Sequence, residues 1–171
     1  MIHSGHGPIL LYAGSFDPIT KGHEDIIVRA KEFAEKLYVG VGIKTEKKYM
    51  FTMEQRVAMV KKATQHLPSV EVIEIPGVMA YAAKELHCDA LVRGLRNVSD
   101  FDHEQQIDAL QSAIGLPNRI ETIYLMGHHN GISSTAVKEL LKLGCTRPDL
   151  ACLVPVGIIE MLIQYKKENN V

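Results

Sequence analysis

Short apolar runs and stretches of helical periodicity take turns along this chain, and that alternation is the strongest constraint on its fold. Residues 9–13 form a continuous apolar run closed by Gly14, the pattern of a strand buried on both faces. Residues 22–36 place Ile26, Ile27, Ala30, Phe33 and Ala34 at helical spacing, and residues 37–43 read as a second strand. Thr52-Met53-Glu54-Gln55 is a capping box that opens a helix to about His66. A strand at 70–75, a helix at 79–87 and a short apolar run at 90–92 ending in Arg93-Gly94 follow. The longest helical pattern spans 99–114, a strand follows at 120–126, and Ser133 caps a helix that Gly144 stops. Residues 156–167 carry an amphipathic helix with basic residues near its end. Alternation of this kind predicts an α/β fold: one domain, a doubly wound parallel sheet and a C-terminal helix. Ligands of such sheets sit outside the carboxyl ends of the strands, at a switch in strand order.

Composition narrows the function classes. The 171 residues suit one domain. Hydrophobic residues at 46% and charged residues at 23% exclude a disordered chain, a collagen and a coiled coil. Lys+Arg 19 against Asp+Glu 20 leaves a net charge of -1, so no global basic field holds a nucleic acid, and any phosphate is bound locally. Cys88, Cys145 and Cys152 lack Cys-x-x-Cys spacing, which argues against a disulfide framework or zinc knuckle and for a reducing compartment. No apolar run approaches the ~20 residues that span a bilayer. Residues 1–8 read as a flexible leader without an apolar stretch of signal-peptide length, with residues 9–171 as the domain. A cytoplasmic location, with no membrane partner, is the expectation.

The residues that follow the strands carry the chemistry. Gly14 lets backbone approach a ligand, and Gly22-His23 falls where the next helix begins. There His23 lies among unpaired N–H groups at a positive dipole end, an anion site. A helix-capping His is the equally weighted structural alternative. The turn is neither a Walker loop nor Gly-x-Gly-x-x-Gly, so a dinucleotide redox site loses support. Gly131-Ile132-Ser133-Ser134-Thr135 opens a second helix at the same sheet edge, either as ordinary capping or as a phosphate cradle. Arg93-Gly94-Leu95-Arg96 lies just past a strand and offers two guanidinium forks for phosphate, or salt bridges to Asp100, Asp102 or Glu104. His128 and His129 are adjacent, point apart in most backbones and lack a third ligand, so no protein-held metal is expected.

Five blocks in order resemble the phosphopantetheine adenylyltransferases, bacterial enzymes of coenzyme A biosynthesis in the nucleotidyltransferase superfamily. They are Gly-Ser-Phe-Asp-Pro-Ile-Thr-Lys-Gly-His from Gly14, Lys47-Lys48-Tyr49-Met50-Phe51-Thr52, Arg93-Gly94-Leu95-Arg96, Asp100-Phe101 with Glu104, and Ile132-Ser133-Ser134. The resemblance runs from Ile9 to the last helix and implies a Rossmann-like nucleotidyltransferase fold. It implies His23, Lys47 and Arg96 as the catalytic groups, and Ser15, Lys47, Met79 and Arg93 around the phosphopantetheine substrate. For ATP it implies Ser15, Phe16, His23, Gly94, Leu95, Arg96, Glu104, His129, Asn130, Gly131, Ile132, Ser133, Ser134 and Thr135. Three departures touch the surroundings of the adenine rather than the phosphate contacts: His103 for a frequent Tyr, His129-Asn130-Gly131 for an aromatic pair, and Tyr12-Ala13-Gly14 for Tyr-Pro-Gly.

The implied reaction converts ATP and 4′-phosphopantetheine to dephospho-coenzyme A and pyrophosphate, with coenzyme A as a related ligand. A phosphate monoester with a second pKa near ~6 is already largely dianionic at neutral pH, so the chemistry asks for positioning and charge neutralisation rather than a base. Mg²⁺ is expected as a phosphate-bridging ion with few or no protein ligands. The resemblance also implies a homohexamer. The alternatives are a related nucleotidyltransferase, such as one acting on nicotinamide mononucleotide, and a non-catalytic nucleotide or coenzyme A sensor.

Overall fold

In the computed structural model, which describes residues 7–43, 47–96, 100–102, 105, 120–129 and 131–169, the first apolar run becomes the central strand of a parallel sheet. This strand, β1 (Ile9–Gly14), pairs on one side with β2 (Lys36–Gly42), which pairs in turn with β3 (Val70–Ile75). On its other side it pairs with β4 (Ala90–Leu95), which carries the outer β5 (Glu121–Met126). The order is β3-β2-β1-β4-β5 with every pair parallel. The chain winds outward from β1 to β3, then crosses back to β4, so the switch in strand order lies between β1 and β4.

The period of two along each strand divides the core between two faces. Leu10 and Tyr12 join Leu37, Val39, Val41, Ala90 and Val92 in the larger core. Against it pack α1 (Lys21–Phe33) through Ile26, Ile27 and Ala30, α2 (Met53–Thr64) through Met59 and Val60, and α4 (Ser134–Lys142) through Val137 and Leu141. Leu11 and Leu91 point the other way, to a smaller core with Ile75 and with Ala83 of α3 (Met79–Glu85). The end of the chain forms α5 (Arg147–Leu153), a 3-10 turn (Val156–Ile158) and α6 (Ile159–Asn169), which close the larger face.

Three expectations need correction. The fourth strand is longer than the run at 90–92: Arg93, Gly94 and Leu95 remain on β4 because each pairs with β5, opposite Tyr124, Leu125 and Met126. Only Arg96 lies past the strand. The third helix ends before His87, which adopts φ 53 and turns the chain out of the helix. Helix α5 was not foreseen; the Asp149 carboxylate accepts from the Thr146 amide at 2.8 Å and from its hydroxyl at 2.7 Å, the capping pattern that marks its start. Most of the helical pattern at 99–114 and residues 1–6 of the leader fall outside the described residues.

The capping box at Thr52 forms as expected, with Thr52 N–H donating to Gln55 Oε1 at 2.9 Å and Gln55 N–H to Thr52 Oγ1 at 3.3 Å. Cys88, Cys145 and Cys152 are free thiols, and burial pushes the Cys88 thiol up to about 11, away from reactivity. Among the described residues no helix is long and apolar enough to cross a membrane. Leu10 lies fully inside the larger core whereas Leu143, at 81% exposed, lies outside it. Leu10→Ala is therefore expected to lower the unfolding free energy by about 2–5 kcal/mol, and Leu143→Ala to stay within about 0.5 kcal/mol. Urea titration of both variants checks the contrast.

Candidate active site

A cleft of about 370 Å³ opens at the carboxyl ends of β1 and β4, where the strand order switches. Its floor begins with Gly14 and Ser15. A Cβ on Gly14 would lie 3.1 Å from the ring of Phe16, so glycine is what lets that ring fold back beneath the loop. Phe16 takes φ 45, a left-handed conformation, and its fully buried ring meets Tyr12 and His23 edge-on at centroid distances of 5.7 and 5.1 Å. Phe16 therefore supports the cleft from below and is not among the side chains that line it.

His23 stands at the third position of α1, where it takes part in the helix cap and also lines the cleft. The Thr20 amide donates to His23 Nδ1 at 3.0 Å, and the His23 amide donates to Thr20 Oγ1 at 3.4 Å. With Nδ1 accepting, the neutral ring carries its proton on Nε2. Burial, then the positive charges of Arg96 and Lys47, lower the imidazole from 6.5 to about 4. The ring thus lines the cleft as a neutral N–H donor beside two cations.

Lys47 crosses from the loop after β2 and donates from Nζ to Ser15 Oγ at 2.8 Å. Arg93 reaches the cleft from the end of β4, and Arg96 from the residue beyond it. Gly94 and Leu95 complete this wall; a Cβ on Gly94 would come within 3.0 Å of Ile26 Cγ1, so a side chain here would press on α1. Arg96 makes a two-pronged contact with Asp100, Nε to Oδ2 at 3.0 Å and Nη2 to Oδ1 at 3.3 Å, and Asp100 also lines the cleft. The salt bridge weighed against a phosphate role is therefore present, on the same guanidinium that faces the cleft.

The opposite wall is the start of α4. Ile132, Ser133, Ser134, Thr135 and His129 all line the cleft. Their hydroxyls divide the work: Ser133 Oγ accepts from the Ala136 amide at 3.1 Å, Ser134 Oγ donates to the Pro18 carbonyl at 2.8 Å, and Thr135 is exposed. Besides Phe16, two expected residues are not among the lining: Gly131, and Met79, which begins α3 and packs on the smaller core. Glu104 and Asn130, like His103, lie outside the described residues.

Three supporting groups escaped the reading of the sequence. Asp17 is fully buried and accepts from the amides of Met50 at 3.1 Å and Phe51 at 3.0 Å and from Lys138 Nζ at 2.8 Å. Arg56, also buried, donates to the carbonyls of Ser15 and Gly42. Asp25 accepts from the His128 amide at 3.2 Å and lies 3.1 Å from its Nδ1; Arg29 donates to Asp25 at 3.2 Å and to the Met126 carbonyl at 2.6 Å. Burial alone would raise the Asp25 carboxyl, but the His128 and Arg29 contacts outweigh it and hold the group below its usual range. This pair on α1 fixes the loop that carries His129. Asp17, Asp25 and Arg29 fell inside sequence segments already singled out, but apart from the Asp25–Arg29 pair within α1 their partners lie 33 to 121 residues away, which spacing does not display.

The chain matches the cytidylyltransferase-like family model over residues 11–140. It is 42% identical over 154 residues to a phosphopantetheine adenylyltransferase of Nautilia profundicola, covering 89% of this chain and 97% of that protein. It is 40% identical over 163 residues to one of Streptococcus sanguinis, covering 94% and 96%. Among solved structures, it resembles the nicotinic acid mononucleotide adenylyltransferase of Plasmodium falciparum complexed with NaAD, with a TM-score of 0.64 and 97% of each chain covered. At 17% identity that likeness speaks for the nucleotide-transferring fold alone. The sequence relatives reach further, since they match across nearly the whole chain at 40% identity or more: this chain belongs to the phosphopantetheine adenylyltransferase family.

Proposed function

We propose that the chain transfers the adenylyl group of ATP to 4′-phosphopantetheine, giving dephospho-coenzyme A and pyrophosphate, the penultimate step of coenzyme A biosynthesis. The observation that carries this reading is the meeting of His23, Lys47, Arg93 and Arg96 around one cleft whose far wall is a helix start. Membership of the family supports the choice of acceptor.

The step is an in-line exchange at the α-phosphorus. An oxygen of the acceptor phosphate forms the new P–O bond, and the bond to pyrophosphate breaks with its electron pair on the leaving oxygen. The acceptor arrives largely dianionic, so no proton has to be removed. What opposes the reaction is the approach of two anions, and fixed donors that meet developing charge lower that barrier most. His23 presents Nε2–H to the transferred phosphate. Being neutral, it adds a directed hydrogen bond without adding to the repulsion among Lys47, Arg93 and Arg96. Lys47 and Ser15, already joined, meet the phosphates from the side of β2, and Arg96 meets those of ATP. Arg93 holds the acceptor phosphate, and Met79 flanks its apolar arm. The start of α4 receives the β- and γ-phosphates through its N–H groups.

Mg²⁺ belongs in this scheme as an ion carried by the nucleotide. Among the described residues no three His, Cys, Asp or Glu side chains group as a metal site, and the one carboxylate on the cleft, Asp100, is engaged by Arg96. That donor set fits an ion held by phosphate oxygens and water, where it would neutralise charge on the leaving pyrophosphate. A cytoplasmic homohexamer completes the proposal, on the strength of the resemblance.

Pyrophosphate release from ATP with 4′-phosphopantetheine tests the reading directly, with nicotinamide mononucleotide as the competing acceptor; a chain that binds coenzyme A but turns over neither acceptor would be a sensor. In that assay His23→Ala is expected to lower kcat on the order of 10²–10³-fold while costing about 1 kcal/mol of stability through the lost cap. Arg93→Ala is expected to weaken 4′-phosphopantetheine about 10- to 100-fold and ATP far less; calorimetric titration of each ligand alone separates the two, and equal losses contradict the assignment. The lowered imidazole also predicts a pH effect. Between pH 6.5 and about 4 the unfolded chain takes up a proton that folded His23 refuses, so stability is whole above this window and falls as pH falls through it. Denaturant melts of His23→Asn should show a shallower decline across the same range, by at most ~3 kcal/mol.

A further inference from the structure

Among the described residues, Arg56 is the one buried basic side chain, and the reaction as described does not use it. It is 2% exposed, on α2, and its hydrogen bonds among those residues go to carbonyls and a thioether, not to a carboxylate. Nη1 donates to the Ser15 carbonyl at 2.6 Å and to the Gly42 carbonyl at 2.8 Å, Nη2 lies 3.7 Å from Met53 Sδ, and the guanidinium sits 4.1 Å from the centre of the Tyr49 ring. Ser15 is the first residue after β1, and Gly42 is the last of β2. One buried cation therefore joins the carboxyl ends of two neighbouring strands. Directly on those two loops stand Ser15 and Lys47, whose side chains meet at 2.8 Å. Tyr49, beneath the guanidinium, follows Lys47 by two residues and has the Lys47 ammonium 5.6 Å from its ring centre.

Burying a guanidinium costs several kcal/mol, and an apolar side chain of similar volume would hold a core at least as well. What the apolar side chain lacks is a pair of donors that set two carbonyls at a fixed separation. We propose that Arg56 is a positioning residue for adenylyl transfer: it braces the β1 and β2 loops against each other so that Ser15 and Lys47 stand in register to meet phosphate. The inference rests on the reading of the cleft given above. It places the effect of Arg56 on the reaction step rather than on the docking of ATP, because Arg56 does not itself line the cleft but holds the backbone beside two groups that do.

The test is a double-mutant cycle. Arg56→Met is expected to lower kcat about 10- to 100-fold with the KM for ATP within about threefold, and Arg56→Lys, which keeps a donor, to fall between it and the wild type. In a Lys47→Ala background Arg56→Met should cost markedly less than it does in the wild type, because the Ser15–Lys47 pairing whose register it sets is gone. Losses that multiply, or an Arg56→Met enzyme with wild-type kcat, overturn the proposal. Should Arg56→Met fail to fold, the same cycle runs on Arg56→Lys. Hydrogen exchange followed by mass spectrometry supplies a readout without turnover: Arg56→Lys should speed exchange across 14–17 and 42–49 and leave α4 unchanged, and unchanged exchange in those loops sinks the brace. A wild-type chain that releases no pyrophosphate from ATP and 4′-phosphopantetheine defeats the reading of the reaction, and the exchange comparison still decides whether Arg56 orders the loops.

Discussion

A single carboxylate in the dark of the core ties together three segments that surround the cleft: the turn after β1, the loop before α2 and the helix α4. Asp17 follows the glycine turn at the end of β1, and its oxygens gather the amides of Met50 and Phe51 from the loop before α2 and the ammonium of Lys138 from α4. At 0% exposure it has no water to fall back on, so each of these partners is obligatory. The result is that loops distant in sequence share one anchor. Ser134 adds a second tie from α4 to the same turn through the Pro18 carbonyl. Loops of this kind are ordinarily the softest parts of an α/β domain; here buried ionic and backbone hydrogen bonds stiffen the ones that border the cleft.

The cleft built on this frame is electropositive without being uniformly charged. Lys47, Arg93 and Arg96 supply the cations, and burial, then the charges of Arg96 and Lys47, keeps the imidazole among them neutral. A neutral donor next to fixed cations suits phosphoryl chemistry, since the hydrogen bond strengthens as negative charge develops. Thr20 secures the tautomer from behind, so a residue whose sequence position is that of a helix cap becomes a directed donor through the same hydrogen bond that makes it a cap.

Much of this was legible before any coordinates. The apolar runs gave the five strands because a parallel sheet buries both faces, and the carboxyl-end loops followed from that. His23, Lys47, Arg96 and the Ser133–Thr135 segment then fell where ligands of such sheets sit. The extent of β4 was not legible, because Arg93 and Gly94 look like loop residues until β5 is beside them to extend the ladder. Nor was α5, seven residues long and begun by Arg147-Pro148, too short for periodicity to reveal. Asp17, Asp25 and Arg56 were hidden for a different reason: each acts through partners brought in by the tertiary fold, and no local pattern distinguishes a charge that will be buried from one that will be solvated.

Arg96 reaches into the cleft already clasped by Asp100. A guanidinium already engaged through two of its nitrogens has fewer donors left for an incoming anion, so what such an anion gains there is less than from a free arginine. A lone monoanion has only that reduced contact, whereas a polyphosphate that also reaches the opposite helix start has a second set of donors. The intramolecular ion pair thus weights the pocket toward ligands long enough to grip both sides at once.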